Sequence, residues 1–490
     1  MGTVGLRPCS DHSSECSDQY GFSRTLVVPG NAAALVSETE NTMPTRMPTP
    51  RTRHRGPTAR RRRRLIAPVV AALTAATLAA CGSGDAGVSA EDAQSQATDL
   101  VKLLNIKDGT DLGGTVEFKL GAALTLSGPS AGNGASMKNA IELATKQIKA
   151  AGGPTITLSV KDIKGPDPVA AKQAASELAA ERVPAKITSM GDGLGAMLAD
   201  TDKSKILSLD GVGGAQVFTK GTQYFYGTRE VAPSDAVPGA LEWFKRTNPK
   251  GRTVGLVGVD LGPLNAAIQA DMKAKIEAAG LTFNGLWETV SPSSQDYASM
   301  ISKVKKNEPD LLWVAFGGAA PGAFVAQARS AGIGSELLGI EFTQEAVKAS
   351  KGVLDKDGFK FAMDYFDASK PSNPLAKLFA DAYKKAYGEP ADFYAANAYE
   401  ETLMVWDLVR RVVAAGGDPS DSAQLKAALE KDPKFASVYG GDGGTVGALQ
   451  IDLATHGVAK RPMGVFEYKD GKVKPLATYD VKGQDFRLAD

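Results

Sequence analysis

Beyond residue 81 this chain has no cysteine and a single histidine, His456. The missing thiols exclude disulfides, thiolate metal ligands and cysteine nucleophiles from that part. One imidazole leaves most acid–base and nucleophile arrangements without a partner, so no cofactor, metal or catalytic group is expected. His456 lies in the polar run Ala454-Thr455-His456-Gly457 and reads as a solvated loop residue. Nucleotide and zinc-protease signatures are missing too: there is no G-x-x-x-x-G-K-[ST] and no H-E-x-x-H, and Gly191-x-Gly193-x-Gly195 is not a full dinucleotide fingerprint. A basic excess is also lacking. The chain has 56 Lys and Arg against 55 Asp and Glu; residues 1–81 hold 11 Arg and 5 acidic residues, leaving 45 basic against 50 acidic. A mildly acidic body does not suit nucleic acid, whose binders carry a basic stripe.

What is present begins with a leader. Arg60 to Arg64 form a cationic run, and the apolar stretch Leu65–Ala80 follows. Its 16 residues fall short of the ~20 that a spanning helix needs. Positive flank, short apolar core and small residues in that order read as a secretory signal. Leu78-Ala79-Ala80-Cys81, followed by Gly82-Ser83-Gly84, resembles the lipobox of bacterial lipoproteins. The resemblance implies cleavage before Cys81, lipidation of its sulfur and an extracytoplasmic protein tethered to the cell membrane. Residues 1–42 fit no part of a signal, and translation is expected to start at Met43 or Met47. Residues 1–81 are thus expected to be disordered extension and signal, and 82–114, rich in Gly, Ser, Ala, Asp and Gln, a tether with a short helix over Glu91–Leu104.

From about Thr115 strands and helices alternate. Val116–Leu126 reads as a strand, and Ala135–Ala151 as a helix with Met137, Ala140, Ile141, Ala144 and Ile148 on one face. Further βα units run to Leu337–Ile340. Such alternation predicts parallel sheets with right-handed crossovers. The tail changes to helices over Pro374–Tyr387, Phe393–Ala415 and Ser422–Lys431. A hairpin then turns at Lys469-Asp470-Gly471.

Four local patterns, in this order and spacing, resemble the leucine-binding family of periplasmic substrate-binding proteins, which serves branched-chain amino acid ABC transporters. They are Gly121-Ala122-Ala123-Leu124-Thr125-Leu126-Ser127-Gly128-Pro129, Ala150-Ala151-Gly152-Gly153, Gly317-Gly318 with Gln327-Ala328-Arg329-Ser330-Ala331-Gly332-Ile333, and Tyr394-Ala395-Ala396-Asn397-Ala398-Tyr399. The resemblance covers about residues 115–480. It implies the type I periplasmic binding fold: α/β, two Rossmann-like lobes with parallel sheets, joined by three crossover strands. The expected division is 115–232 with 368–443 for lobe 1 and 233–367 with 444–490 for lobe 2. Crossings are expected near 228–235, 360–367 and 443–452. A small polar solute, an amino acid or amide-like, would sit in the interlobe cleft and be trapped by hinge closure. The partners implied are that solute, a permease and the membrane through the lipid, with the protein a monomer. The same fold serves sensor lipoproteins that feed a signalling receptor, and a carboxylate-dependent enzyme is the remaining alternative.

The resemblance also nominates contacts. Ser127 and Asn133 belong to the first cleft loop, where the alternative for Asn133 is a turn residue. Asp192 and Gly193, then Asp210, Gly213 and Gly214, stand where the family presents small hydroxylated residues to the ligand carboxylate. Here the hydroxyls are missing, and two aspartates would repel a carboxylate. A hydroxylated, amide or cationic solute then becomes a candidate, against the alternative that each Asp caps a helix. Glu341, after a second-lobe strand, is where the family takes the ligand's ammonium. Phe316, Gly317 and Phe342 would wall the cleft, or the two aromatics would belong to the core.

Overall fold

The computed structural model describes residues 89–489 apart from 108–111, 129, 166, 189–190, 212–218, 220, 230–236 and 442–443. Cys81, Gly213 and Gly214 lie outside the described residues, as do the leader and its lipobox.

Among the described residues, β1 (Glu117–Leu124), β2 (Thr155–Asp162), β3 (Ala185–Thr188), β4 (Leu207–Asp210) and β5 (Phe225–Gly227) form a parallel sheet in the order β2-β1-β3-β4-β5. Helices α1 (Ala90–Leu103), α2 (Ala131–Ala150), α3 (Pro168–Ala180) and α4 (Gly191–Ser204) belong to this first half of the chain. A second sheet follows from β6 (Thr253–Val259), β7 (Thr282–Val290), β8 (Leu311–Ala315), β9 (Glu336–Gly339) and β10 (Phe359–Met363). With them run α5 (Val237–Thr247), α6 (Asn265–Ala278), α7 (Ala298–Lys306), α8 (Ala320–Ser330), α9 (Gln344–Ala349) and α10 (Val353–Asp357). Three helices then return to the first sheet: α11 (Pro374–Tyr387), α12 (Phe393–Ala414) and α13 (Ser422–Lys431). The small antiparallel β11 (Lys434–Phe435), β12 (Leu449–Ile451) and β13 (Val458–Lys460) come next, then β14 (Pro462–Lys469), β15 (Lys472–Asp480) and β16 (Gln484–Leu488).

The second sheet departs from the all-parallel expectation. Its order is β16-β15-β14-β10-β9-β8-β6-β7, with β10, β14, β15 and β16 paired antiparallel. The hairpin at Asp470-Gly471, both at positive φ (52° and 68°), does not stand apart as a tail. Val465 and Ala477 are fully buried, so its apolar face joins the core that β10 would otherwise leave open. The chain re-enters this sheet at Pro462, later than the 443–452 expected, because the preceding stretch clings to the first sheet's edge: Gly227 N–H donates to the His456 carbonyl at 2.9 Å. His456 is correspondingly half-buried and stacked on Tyr226, with centroids 4.3 Å apart, instead of being solvated.

Local chemistry sets the helix ends. Asn373 caps α11 by accepting from Ala376 N–H at 2.8 Å, Pro374 occupies its first turn, and Gly388 stops it at φ 77°. Asp392 caps α12 through Ala395 N–H at 2.7 Å. Helix α12 is buried nearly all round, packed against α2 and the first sheet. None of the described helices is long and apolar enough to cross a membrane.

Candidate functional site

Parallel strands leave their carboxyl ends open to ligands. In the first sheet those ends are Thr188 on β3, Asp210 on β4 and Thr228 just past β5; in the second they lead into Phe316-Gly317-Gly318 and Ile340-Glu341. The two sets of ends face each other. A Cβ added to Gly318, whose φ is +60°, would lie 3.2 Å from Ser130 Oγ and 4.0 Å from Asn133 Nδ2 at the start of α2. Likewise a Cβ on Gly132 would lie 3.5 Å from Glu345 Oε1 on α9.

Glu341 is buried at this seam. Its carboxylate accepts from Gly318 N–H and from Tyr394 Oη–H at 2.8 Å, so β9, the β8 loop and α12 converge on it. Thr343 Oγ1 donates to the Gly318 carbonyl at 2.7 Å and fixes that loop. Burial and the neighbouring Glu341 charge hold the Tyr394 phenol well above its ordinary range, so it remains a donor. Asn133 is buried too, and its Nδ2 has no partner in the protein.

On the first-sheet side, polar groups are bonded to one another. Thr188 Oγ1 donates to Asp210 Oδ2, and Thr228 Oγ1 donates to Glu401 Oε1 at 2.8 Å while accepting from Asn397 Nδ2 at 3.0 Å. Glu401 is fully buried and its Oε2 has no partner. Burial, with Asp210 and Glu400 nearby, raises its carboxyl well above the usual range. Gly211 must be glycine for this packing, since a Cβ there would reach 1.9 Å from Asn397 Oδ1.

Behind the cleft, the three connections between the sheets meet in one buried ion network. Asp364, just after β10, accepts from Arg229 Nε at 2.7 Å and from Arg461 Nε at 2.5 Å; Arg461 Nη1 reaches Glu400 Oε1 on α12 at 2.8 Å. None of the four side chains is more than 2% exposed.

The remaining nominated residues are scattered. Asp192 and Gly193 fall in the first turn of α4, not in a loop. Asp210 ends β4 fully buried and takes Thr188's hydrogen bond. Ser127 is exposed beside Asp162 on the loop after β1, and Gly317 is partly exposed. Phe316 packs on Tyr297 and Phe324 at 5.3 and 5.4 Å, and Phe342 on Phe361 and Tyr468 at 5.1 and 4.8 Å, so both aromatics belong to the core. A hollow of about 890 Å³ lies far from these groups, at the amino end of the second sheet, lined by Asn248, Asp310 and Lys360. Among the described residues no three metal-ligating side chains cluster.

The family model for "Periplasmic binding protein" matches residues 117–472. The chain belongs to the periplasmic binding protein family. It has the type I fold and is a periplasmic solute-binding protein of the ABC-transporter type. A Leu/Ile/Val-binding protein homolog from Brucella melitensis is 22% identical over 367 residues, 74% of this chain and 94% of the relative. Among solved structures, a leucine-binding protein from Thermotoga maritima has a TM-score of 0.62 at 19% identity, covering 74% of this chain and 98% of its own. A fatty acid ABC transporter substrate-binding protein from Thermomonospora curvata has a TM-score of 0.62 at 20% identity, covering 78% and 95%. A Rhodopseudomonas palustris solute-binding protein in complex with benzoate has a TM-score of 0.61 at 19% identity, covering 76% and 98%. Family members bind solutes rather than transform them and work outside the cytoplasm with an ABC permease.

The sequence reading singled out Glu341 and Asn133 but missed Tyr394, Asn397, Glu400 and Glu401 as a set. Their signal was legible: polar groups recurring at helical spacing within an otherwise apolar helix. Arg229, Asp364 and Arg461 carried no local signal, because only the folded chain brings them together.

Proposed function

We propose that this protein is a lipid-anchored solute receptor of an ABC importer. It acts as a monomer, holds a small polar solute between the two sheets' carboxyl ends and closes around it. Cys81 would carry the lipid. Residues 115–232 with 368–461 would form one lobe and 233–367 with 462–490 the other, flexing at the Asp364 network. Supporting this reading is the meeting of Asn133 and Glu341 at Gly318: each comes from a different half of the molecule, so a solute touching both would be bound tightly only in the closed form. Solute at 100 times its Kd should stabilise the purified body by ~2.7 kcal/mol. A thermal-shift screen of amino acids, amides, polyols, amines and aromatic acids, followed by small-angle X-ray scattering on each hit, checks it. A hit should shrink the radius of gyration. Hits that stabilise without any compaction, or turnover of a hit, would overturn the reading.

A further inference from the structure

We propose that the hydrogen bond between Tyr394 and Glu341 is a latch: it joins the two halves only when the cleft is shut, and it holds the protein partly closed before any solute arrives. The inference rests on the receptor reading above and names the residues that close it. Tyr394 lies in the first turn of α12, which packs on α2 and the first sheet, whereas Glu341 follows β9 of the second. Their bond, 2.8 Å long, therefore crosses the seam, and each side chain is only 3% exposed.

Each partner is mounted on its own half. On the first, Ser136 Oγ of α2 donates to the Asp392 cap at 2.8 Å, Tyr439 Oη donates to the Phe393 carbonyl at 2.7 Å, and the Phe393 and Tyr394 rings pack with centroids 4.1 Å apart. On the second, Gly318 N–H donates to the other oxygen of Glu341, Thr343 Oγ1 donates to the Gly318 carbonyl, and Thr343 caps α9 through Ala346 N–H at 3.0 Å. With both ends held, parting the halves by about 1 Å at this point breaks the bond, since a hydrogen bond does not survive much beyond ~3.5 Å. When shut, the protein itself serves both carboxylate oxygens, so closure does not need a solute amine to satisfy this buried acid. Removing the Tyr394 hydroxyl takes a donor from a desolvated carboxylate in the closed form, and opening gives that oxygen water instead. The variant therefore acts on the open–closed balance. In the wild type, a closed fraction already present raises the apparent affinity for any solute in proportion to that fraction.

Small-angle X-ray scattering and amide hydrogen exchange on the solute-free extracytoplasmic chain test the latch without knowledge of the solute. Tyr394→Phe should enlarge the radius of gyration and speed exchange of the Gly318 amide at least tenfold. Glu341→Gln leaves one acceptor oxygen for two donors and should enlarge the radius likewise; it decides the matter where the first variant does not fold. A variant that melts lower while its size, and for Tyr394→Phe the exchange at Gly318, match the wild type would show an ordinary core bond and overturn the latch. Failure of both variants to fold would also overturn it, because a bond that opens with the hinge is not required for folding. In either case the receptor reading stands if a solute still compacts the wild type. Solutes that bind the wild type without compaction would sink the receptor reading instead.

Discussion

Asp364 is the point at which the three inter-sheet connections are tied, and removing its carboxylate exposes what that tie contributes. In the wild type one oxygen serves Arg229 and the other serves Arg461, all within a region sealed from water. Asp364→Ala leaves Arg461 with Glu400 but leaves Arg229, among the described residues, with the Gly211 carbonyl at 3.3 Å and the face of Phe393. A buried charge that loses its partner costs ~3–5 kcal/mol. At ~2 °C per kcal/mol for a body of this size, the melting temperature should fall by roughly 6–10 °C. The same physics predicts a rescue: Arg229→Met in the Asp364→Ala background removes the orphaned charge and should restore more than half of the loss. Thermal unfolding followed by circular dichroism measures both variants. A drop below 2 °C for Asp364→Ala, or a double variant no more stable than the single one, would refute the claim that a desolvated charge network clamps the hinge.

Two further outcomes follow from single buried groups. Asn133→Ala should weaken solute binding yet leave the urea midpoint unchanged or slightly higher, because the amide it deletes has no partner in the protein; a large loss of stability would show the amide to be structural. Burial pushes the Lys186 amine down from 10.5 to about 8, with Asp200 and Asp210 opposing the fall. Below pH 8 the folded chain must carry a desolvated ammonium, a penalty of up to ~3 kcal/mol, which fades as pH rises from 8 to 10.5 because the unfolded chain binds the extra proton there. Lys186→Met should therefore raise stability at pH 7 and flatten the rise between pH 8 and 10.5, as read from urea midpoints across that range; a midpoint that falls at pH 7 would contradict it.

How much of this was legible in the sequence depended on how local the governing force was. Helices α11 and α13 begin and end where the sequence pattern places them, since Asn373, Gly388 and Asp421 are sequence-local devices. Helix α2 begins at Ala131, ahead of the expected Ala135, because Gly132 and Gly134 look like loop residues yet let the helix approach its neighbours: a Cβ on Gly134 would sit 1.9 Å from the Thr125 carbonyl oxygen. The hairpin was visible, but its union with β10 was not, because pairing partners 100 residues apart share no local pattern.

The candidate site divides along the same line. Glu341 stands out after a strand because a carboxylate at a parallel strand's end has few structural reasons to be there. Arg229, Asp364 and Arg461 each look like an ordinary surface charge, and only their convergence makes them a buried unit. Buried charge of this kind contributes little net stability over apolar packing. A geometry that needs three connections to cross at fixed spacing is the reason to retain it. Any apolar trio of similar volume could fill the space, whereas two guanidinium groups sharing one carboxylate fix both the distance and the angle between the connections about which the cleft would open and close.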